Sequence, residues 1–319
     1  MTEKSLQEQH IPVMCERVLE MFAPSLNVSN PVLIDATLGL GGHTEALLKK
    51  FSNLTIIGFD RDPIAIQRAK QRLGNLANRV EFINQTFDQI AKVLNGKKVN
   101  GVLLDLGVSS IQLDESSRGF SYAQDAPLDM RMNSQDALTA AIILSTFEVK
   151  DLTYILATYG EEKFAKRIAQ EIVKRRSEKL IATTFELVEL IKDVIPAPAR
   201  RTGGNPAKRT FQALRIAVNN ELQILEQALP QALDALAIGG RILVLSYHSL
   251  EDRIVKNLLK TQSSTVDAFP GLPILISKNI APFELVTKKA EQASEAEITN
   301  NPRSTSVRLR VAQRVAVAA

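Results

Sequence analysis

Apolar runs in the first third of the chain end, three times, in an acidic residue. Val32, Leu33 and Ile34 lead to Asp35, residues 55–59 lead to Asp60, and residues 99–104 lead to Asp105. A further run covers residues 80–83. Short apolar runs bounded by turn signals predict strands. Between them, Ala46, Leu47, Leu48 and Phe51 share one helical face. Asp62 and Pro63 mark a second helix start, because Asp caps free amides and Pro fits the first helical position. Ile66, Ala69 and Leu73 continue that helix at helical spacing. Strands alternating with helices predict parallel pairing through right-handed crossovers.

The pattern changes after Leu113. Residues 116–135 carry Gly, Ser, Asp and Pro and predict an irregular loop. Helical periodicity then holds from 135 to 194, with helices over 151–158, 161–176 and 184–195. Pro196, Pro198, Gly203, Gly204 and Pro206 break the chain. Helix returns over 209–236, with an interruption expected at Pro230. After Gly239 and Gly240 a strand is expected over 241–245. Near the end Val307, Leu309 and Val311 alternate with Ser306, Arg308 and Arg310, the period of a strand with one polar face. Residues 287–302 are polar and read as a mobile loop. The expected layout is one α/β domain, residues 1–115 and 217–319, interrupted by an all-helical insertion over 116–216.

Composition narrows the class. Of 319 residues, 45% are hydrophobic and 23% charged, as in ordinary globular proteins. A single cysteine, Cys15, excludes an internal disulfide and a multi-cysteine zinc site. His10, His43 and His248 are too far apart in sequence to form a metal-ligand pattern, so no metal is expected. The first ten residues are polar, and no apolar run is long enough to span a bilayer. A cytoplasmic protein without membrane contact is therefore expected. Net charge is only +4, but residues 150–215 hold 14 Lys/Arg against 8 Asp/Glu, an excess of 6 confined to the insertion. That is the footprint expected for a polyanion such as nucleic acid. A solvated helical surface is the alternative.

The sharpest local signal is the segment 35–44, where Gly39, Gly41 and Gly42 follow one strand and precede one helix. Glycines there let the backbone turn tightly and approach a ligand. Asp35 closes the strand before them, where it would repel a pyrophosphate. A carboxylate suits a ligand carrying an ammonium and a sulfonium, which points to S-adenosyl-L-methionine. Asp60, ending the next strand, can hold both ribose hydroxyls. His43 either lines that pocket or is a satisfied residue of the helix start. Phe87 can pack on an adenine face or serve as core. Gln112 can bond an adenine or carboxylate edge or be a surface amide. Asp105 ends a strand at the carboxyl edge where open α/β sheets bind ligands.

Longer motifs extend this set. They are the segments 35–44, 60–62 and 103–110; then Arg118 to Ser121 and Pro127 to Met132; then the segments 210–216, 246–253 and 301–304. Together they resemble the bacterial 16S ribosomal RNA cytosine N4-methyltransferases, the small-subunit rRNA methyltransferase H family, from about residue 10 to residue 310. The chain departs from the family pattern at Ile111, Tyr247, Asn205 and Lys208. A proline is common at the first of these and phenylalanine more usual at the second. The resemblance implies a Rossmann-like class I methyltransferase sheet interrupted by a helical RNA-recognition insertion. It implies an enzyme that methylates the exocyclic N4 of a cytidine in the decoding region of 16S rRNA within the small ribosomal subunit. It also implies cofactor contacts at Gly41, Gly42, His43, Asp60, Phe87, Asp105 and Gln112. The chain is compatible with a homodimer.

Attack on a sulfonium methyl needs positioning more than a nucleophilic side chain. The amino nitrogen of cytosine is a poor nucleophile, and an acceptor on its N–H localises the lone pair. Asp105, or a backbone carbonyl just after it, is the expected acceptor. His248 is a second candidate, with a buried, satisfied ring as its other reading. Cys15 lacks the context of an attacking cysteine. DNA amino-methyltransferases carry two prolines after the fourth strand that are absent from Leu106, Gly107 and Val108. A nicotinamide oxidoreductase is disfavoured by Asp35. A non-catalytic assembly factor is disfavoured by the intact glycine loop.

Overall fold

The computed structural model describes residues 12–108, 115–200, 205–264 and 281–316. Strands β1 (Val32–Asp35), β2 (Thr55–Phe59), β3 (Val80–Ile83), β4 (Val99–Asp105), β5 (Leu236–Ser246), β6 (Phe283–Leu285) and β7 (Arg308–Arg314) form one sheet. Their order is β3-β2-β1-β4-β5-β7-β6. The first five pair in parallel, while β7 runs antiparallel to β5 and β6 antiparallel to β7. This is the Rossmann-like sheet that the resemblance implied. The period of two along each strand divides the core into two layers. Ile34, Leu104 and Val244 face one side, with Leu225, Leu229 and Val255 packed there. Leu33, Leu103 and Leu243 face the other, against Val18, Phe22 and Leu47. Both faces are covered, which is why these strands read as continuous apolar runs.

Helices α1 (Cys15–Leu26), α2 (Gly42–Lys50), α3 (Pro63–Leu73) and α4 (Ile90–Leu94) belong to the first part of the chain. The α3 start is as expected: Asp62 is its N-cap and accepts from the Ile64 N–H at 3.0 Å. Helix α1 has no counterpart in the expected layout. Next come α5 (Ala140–Thr146), α6 (Val149–Gly160), α7 (Ala165–Arg176), α8 (Thr184–Val194), α9 (Ala197–Arg200) and α10 (Lys208–Asn219). They enclose a separate core that includes Leu128, Ile143, Leu156, Ile168, Leu187 and Leu214. Then follow α11 (Glu221–Ala235), α12 (Ser249–Gln262) and α13 (Glu295–Asn300). The chain forms two compact units, Met1–Gly107 with Gln223–Ala319, and Val108–Leu222.

Three expectations need correction. The helical stretch after 208 breaks at Asn220, which takes a left-handed φ of 54°, and α11 runs through Pro230. The helix expected from 161 begins at Ala165, because Glu161 adopts φ 48° and closes α6. Residues 287–302 are a docked segment rather than a mobile loop. Glu291 exchanges two backbone hydrogen bonds with Leu309, at 2.9 and 2.8 Å. Its carboxylate accepts from Arg17 Nε and Nη2 at 2.7 and 2.9 Å. Glu297 Oε1 accepts from the Met14 N–H, and Ser294 caps α13. Thr287, Glu291 and Glu297 of this segment have protein partners far along the chain, which composition alone does not reveal. Among the described residues, no helix is long and apolar enough to cross a membrane.

Candidate active site

Parallel strands in register bring their carboxyl ends to one edge. Asp35 pairs with Gly58 of β2 and Leu103 of β4, and Asp105 pairs with Leu245 of β5. Asp60 follows β2 directly. The three carboxylates therefore converge because each ends, or follows, a parallel strand held in register with its neighbours. The loop between β1 and α2 is tied to this edge by hydrogen bonds. Leu38 N–H donates to Phe59 O at 2.9 Å, and Gly39 N–H donates to Asp60 Oδ2 at 2.8 Å. The Asp105 N–H donates to Thr37 Oγ1 at 2.7 Å. Gly41 sits at φ 74° as the N-cap of α2, a conformation that side chains with a Cβ rarely adopt.

Asp35 is 1% exposed and accepts from Thr44 Oγ1 at 2.7 Å and from the Thr37 N–H at 3.3 Å. Burial raises its pKa above the ordinary value, against the pull of Thr44 and His43. Asp60 accepts from the N–H groups of Asp62 and Gly39, both at 2.8 Å. Burial still outweighs those donors and pushes its carboxyl up to about 6. His43 is buried in the first turn of α2. Its Nε2 lies 3.4 Å from Asp105 Oδ2, within ion-pair range, and neither ring nitrogen has a well-aligned hydrogen bond. Burial pulls the imidazole down, but the Asp105 carboxylate, with Asp35 behind it, more than offsets this and pushes it up to about 10. The edge thus holds two carboxyls whose pKa burial raises and a buried imidazole paired with Asp105.

The remaining sequence-derived residues fall in different places. Gly42 packs against Pro12, where a Cβ would stand 2.7 Å from Pro12 Cγ. Phe87 opens a short 3-10 turn after β3 and packs, half-buried, against the core. His248 is the N-cap of α12: its Nδ1 accepts from the Glu251 N–H at 3.4 Å, and its Nε2 lies 3.1 Å from Glu251 Oε1. Gln112 lies outside the described residues. Sequence reasoning missed Thr37 and Thr44 as functional supports, although both lie inside the glycine segment. It also missed Tyr247, whose O–H donates to Asp105 Oδ1 at 2.7 Å.

In the helical unit, Lys163, Lys166, Arg167 and Lys174 are exposed, as are Arg200, Lys208 and Arg209. Arg175 instead pairs with Glu171 at 2.8 Å and Asp193 at 2.7 Å. Arg215 makes a two-pronged pair with Glu221, both contacts 2.9 Å. Arg201 lies outside the described residues. The Pro127 to Met132 segment is braced internally. Arg131 Nε and Nη2 donate to the two Asp129 oxygens at 2.9 and 2.7 Å. Buried Asn219 accepts from the Met132 N–H and donates to Met130 O, both at 2.7 Å.

The chain is similar in sequence to curated proteins over most of its length. "Ribosomal RNA small subunit methyltransferase H" of Saccharopolyspora erythraea is 51% identical over 314 residues, covering 98% of this chain and 95% of its own. The protein of that name from Mycolicibacterium smegmatis is 52% identical over 314 residues, covering 96% of this chain and 84% of its own. A solved rRNA methylase from Streptococcus thermophilus aligns with a TM-score of 0.44 at 11% identity, covering 96% of this chain and 99% of that one. The model of the MraW methylase family matches residues 7–315, and this chain belongs to that family.

Proposed function

We propose that the protein methylates the exocyclic N4 of a cytidine in the decoding region of 16S rRNA, using S-adenosyl-L-methionine. The observation that carries this reading is the meeting of Asp35, Asp60 and Asp105 around the glycine loop at one sheet edge. Relatives about half identical bear the name of a small-subunit rRNA methyltransferase. The donor set fits the cofactor. Buried carboxyls with raised pKa values favour a cationic ligand. Asp60 takes the ribose hydroxyls, while Gly41, Gly42 and His43 line the chain-proximal side. Phe87 belongs to the adenine end. The bound cofactor supplies a methyl already activated on sulfur.

Asp105 accepts an N–H of the target amine, which turns the nitrogen lone pair toward the methyl. It is favoured over His248, whose ring is committed to capping α12. The base must reach this edge unpaired, at a cost of about a few kcal/mol. The helical unit, residues 116–216 in the sequence reading, supplies the basic surface for the RNA backbone through Lys163, Lys166, Arg167 and Lys174. A ribosomal substrate agrees with a cytoplasmic protein.

The test is transfer from radiolabelled S-adenosyl-L-methionine to small ribosomal subunits of a strain lacking the enzyme, followed by nuclease digestion and mass spectrometry. Label on cytidine N4 in 16S RNA is expected. Label on another base or on DNA overturns the reading.

A further inference from the structure

We propose that Tyr247, where the family resemblance has phenylalanine more usual, is a positioning residue particular to this chain: its phenol holds the Asp105 carboxylate in the orientation that accepts the amine N–H. The proposal rests on the functional reading above. Tyr247 follows β5 directly, beside the end of β4, and its O–H donates to Asp105 Oδ1 at 2.7 Å. The ring is itself held. The Tyr247 N–H donates to Glu251 Oε2 at 2.8 Å, tying it to the first turn of α12. The ring lies against Gly107, where a Cβ would meet Tyr247 Cδ2 at 3.3 Å and φ is +102°. Glycine at 107 leaves the space that the ring occupies.

The two carboxylate oxygens thereby acquire different surroundings. Oδ1 is engaged by the phenol, and Oδ2 lies 3.4 Å from His43 Nε2 on the side of the glycine loop. Burial, then the neighbouring Asp105 charge, raises the phenol well above its ordinary pKa, so it stays a donor at neutral pH. The terminal torsion of an aspartate is broad. A charge-assisted O–H bond narrows it, and a misplacement of about 1 Å in a reacting group can cost about 100-fold in rate. Thr37 fixes the Asp105 backbone through its N–H, and Tyr247 fixes the side chain.

The test is a double-mutant cycle with Y247F, D105N and the pair, each assayed for kcat and KM on small subunits. Phenylalanine keeps the ring packing and removes only the hydroxyl. Cofactor affinity and melting temperature are measured in parallel. Expected is a kcat loss of about tenfold in Y247F, as for one charge-assisted bond, with cofactor affinity within about twofold. In the D105N background the same change should have no further effect. The tyrosine absorbance titration should show one of the four tyrosines ionising at lower pH in D105N than in the wild type. Full turnover in Y247F, or an equal loss in both backgrounds, overturns the proposal alone. A loss carried only by cofactor affinity or melting temperature assigns Tyr247 a structural role and also overturns it. A wild type inactive on every RNA tested overturns the functional reading and the proposal together.

Discussion

The Gly39 N–H donates to Asp60 Oδ2 at 2.8 Å, joining the loop after one strand to the acid that follows its neighbour. The loop's shape and the ribose acceptor are thereby one unit, and both depend on the charge of a single carboxylate.

Burial pushes Asp60 up to about 6. Ribose hydroxyls donate to the ionised form, so binding should release a proton and strengthen as pH rises through about 6. Calorimetric titration with S-adenosyl-L-methionine is expected to show affinity falling up to about tenfold per pH unit below that value and level above it. D60N should weaken binding and flatten the profile; an unchanged profile removes Asp60 from the ribose site. In the ligand-free protein the sign is opposite. The folded pKa lies above the ordinary 3.8, so the contribution of this group to stability is complete below 3.8 and lost as pH rises through about 6.

Asp105→Asn keeps the shape of the side chain but replaces one acceptor oxygen with a donor. Turnover on small subunits should fall about 100-fold or more, the range for a positioned proton acceptor. Its melting temperature should stay near that of the wild type. Full turnover with normal cofactor affinity would sink the acceptor role.

Asn219→Ala strands the buried Met132 N–H and Met130 O, each now paired at 2.7 Å. Leaving buried polar groups unpaired costs about 1–3 kcal/mol each. A urea or thermal melt should show a clearly lower midpoint, while cofactor affinity is retained. A midpoint equal to the wild type would mean that water replaces the amide.

Replacing Lys166, Arg167 and Lys174 of α7 together with Ala should weaken RNA binding. The log–log dependence of affinity on salt should also become shallower, by about 0.7 for each single-strand phosphate that is no longer neutralised. Replacing Arg175 should change neither, because Glu171 and Asp193 already neutralise it. An unaltered salt slope in the triple variant would place the RNA elsewhere.

The apolar runs, the Asp62–Pro63 helix start and the glycine segment determined the strands, α3 and the loop that follows β1. They could do so because each is a local property: burial on both faces, a capped amide, a permitted φ. The sheet itself, through its register, decided the rest. It set the Thr37 Oγ1 bond to Asp105 and carried Tyr247 to the same carboxylate. It also extended β5 from Leu236 to Ser246 and docked a polar segment on Arg17 and Leu309. The helical break at Asn220 rather than Pro230 is local instead: an asparagine in a left-handed conformation closes α10. A pattern of residues records which backbone conformations are cheap, whereas a long-range partner exists only once parallel strands in register have brought distant positions together.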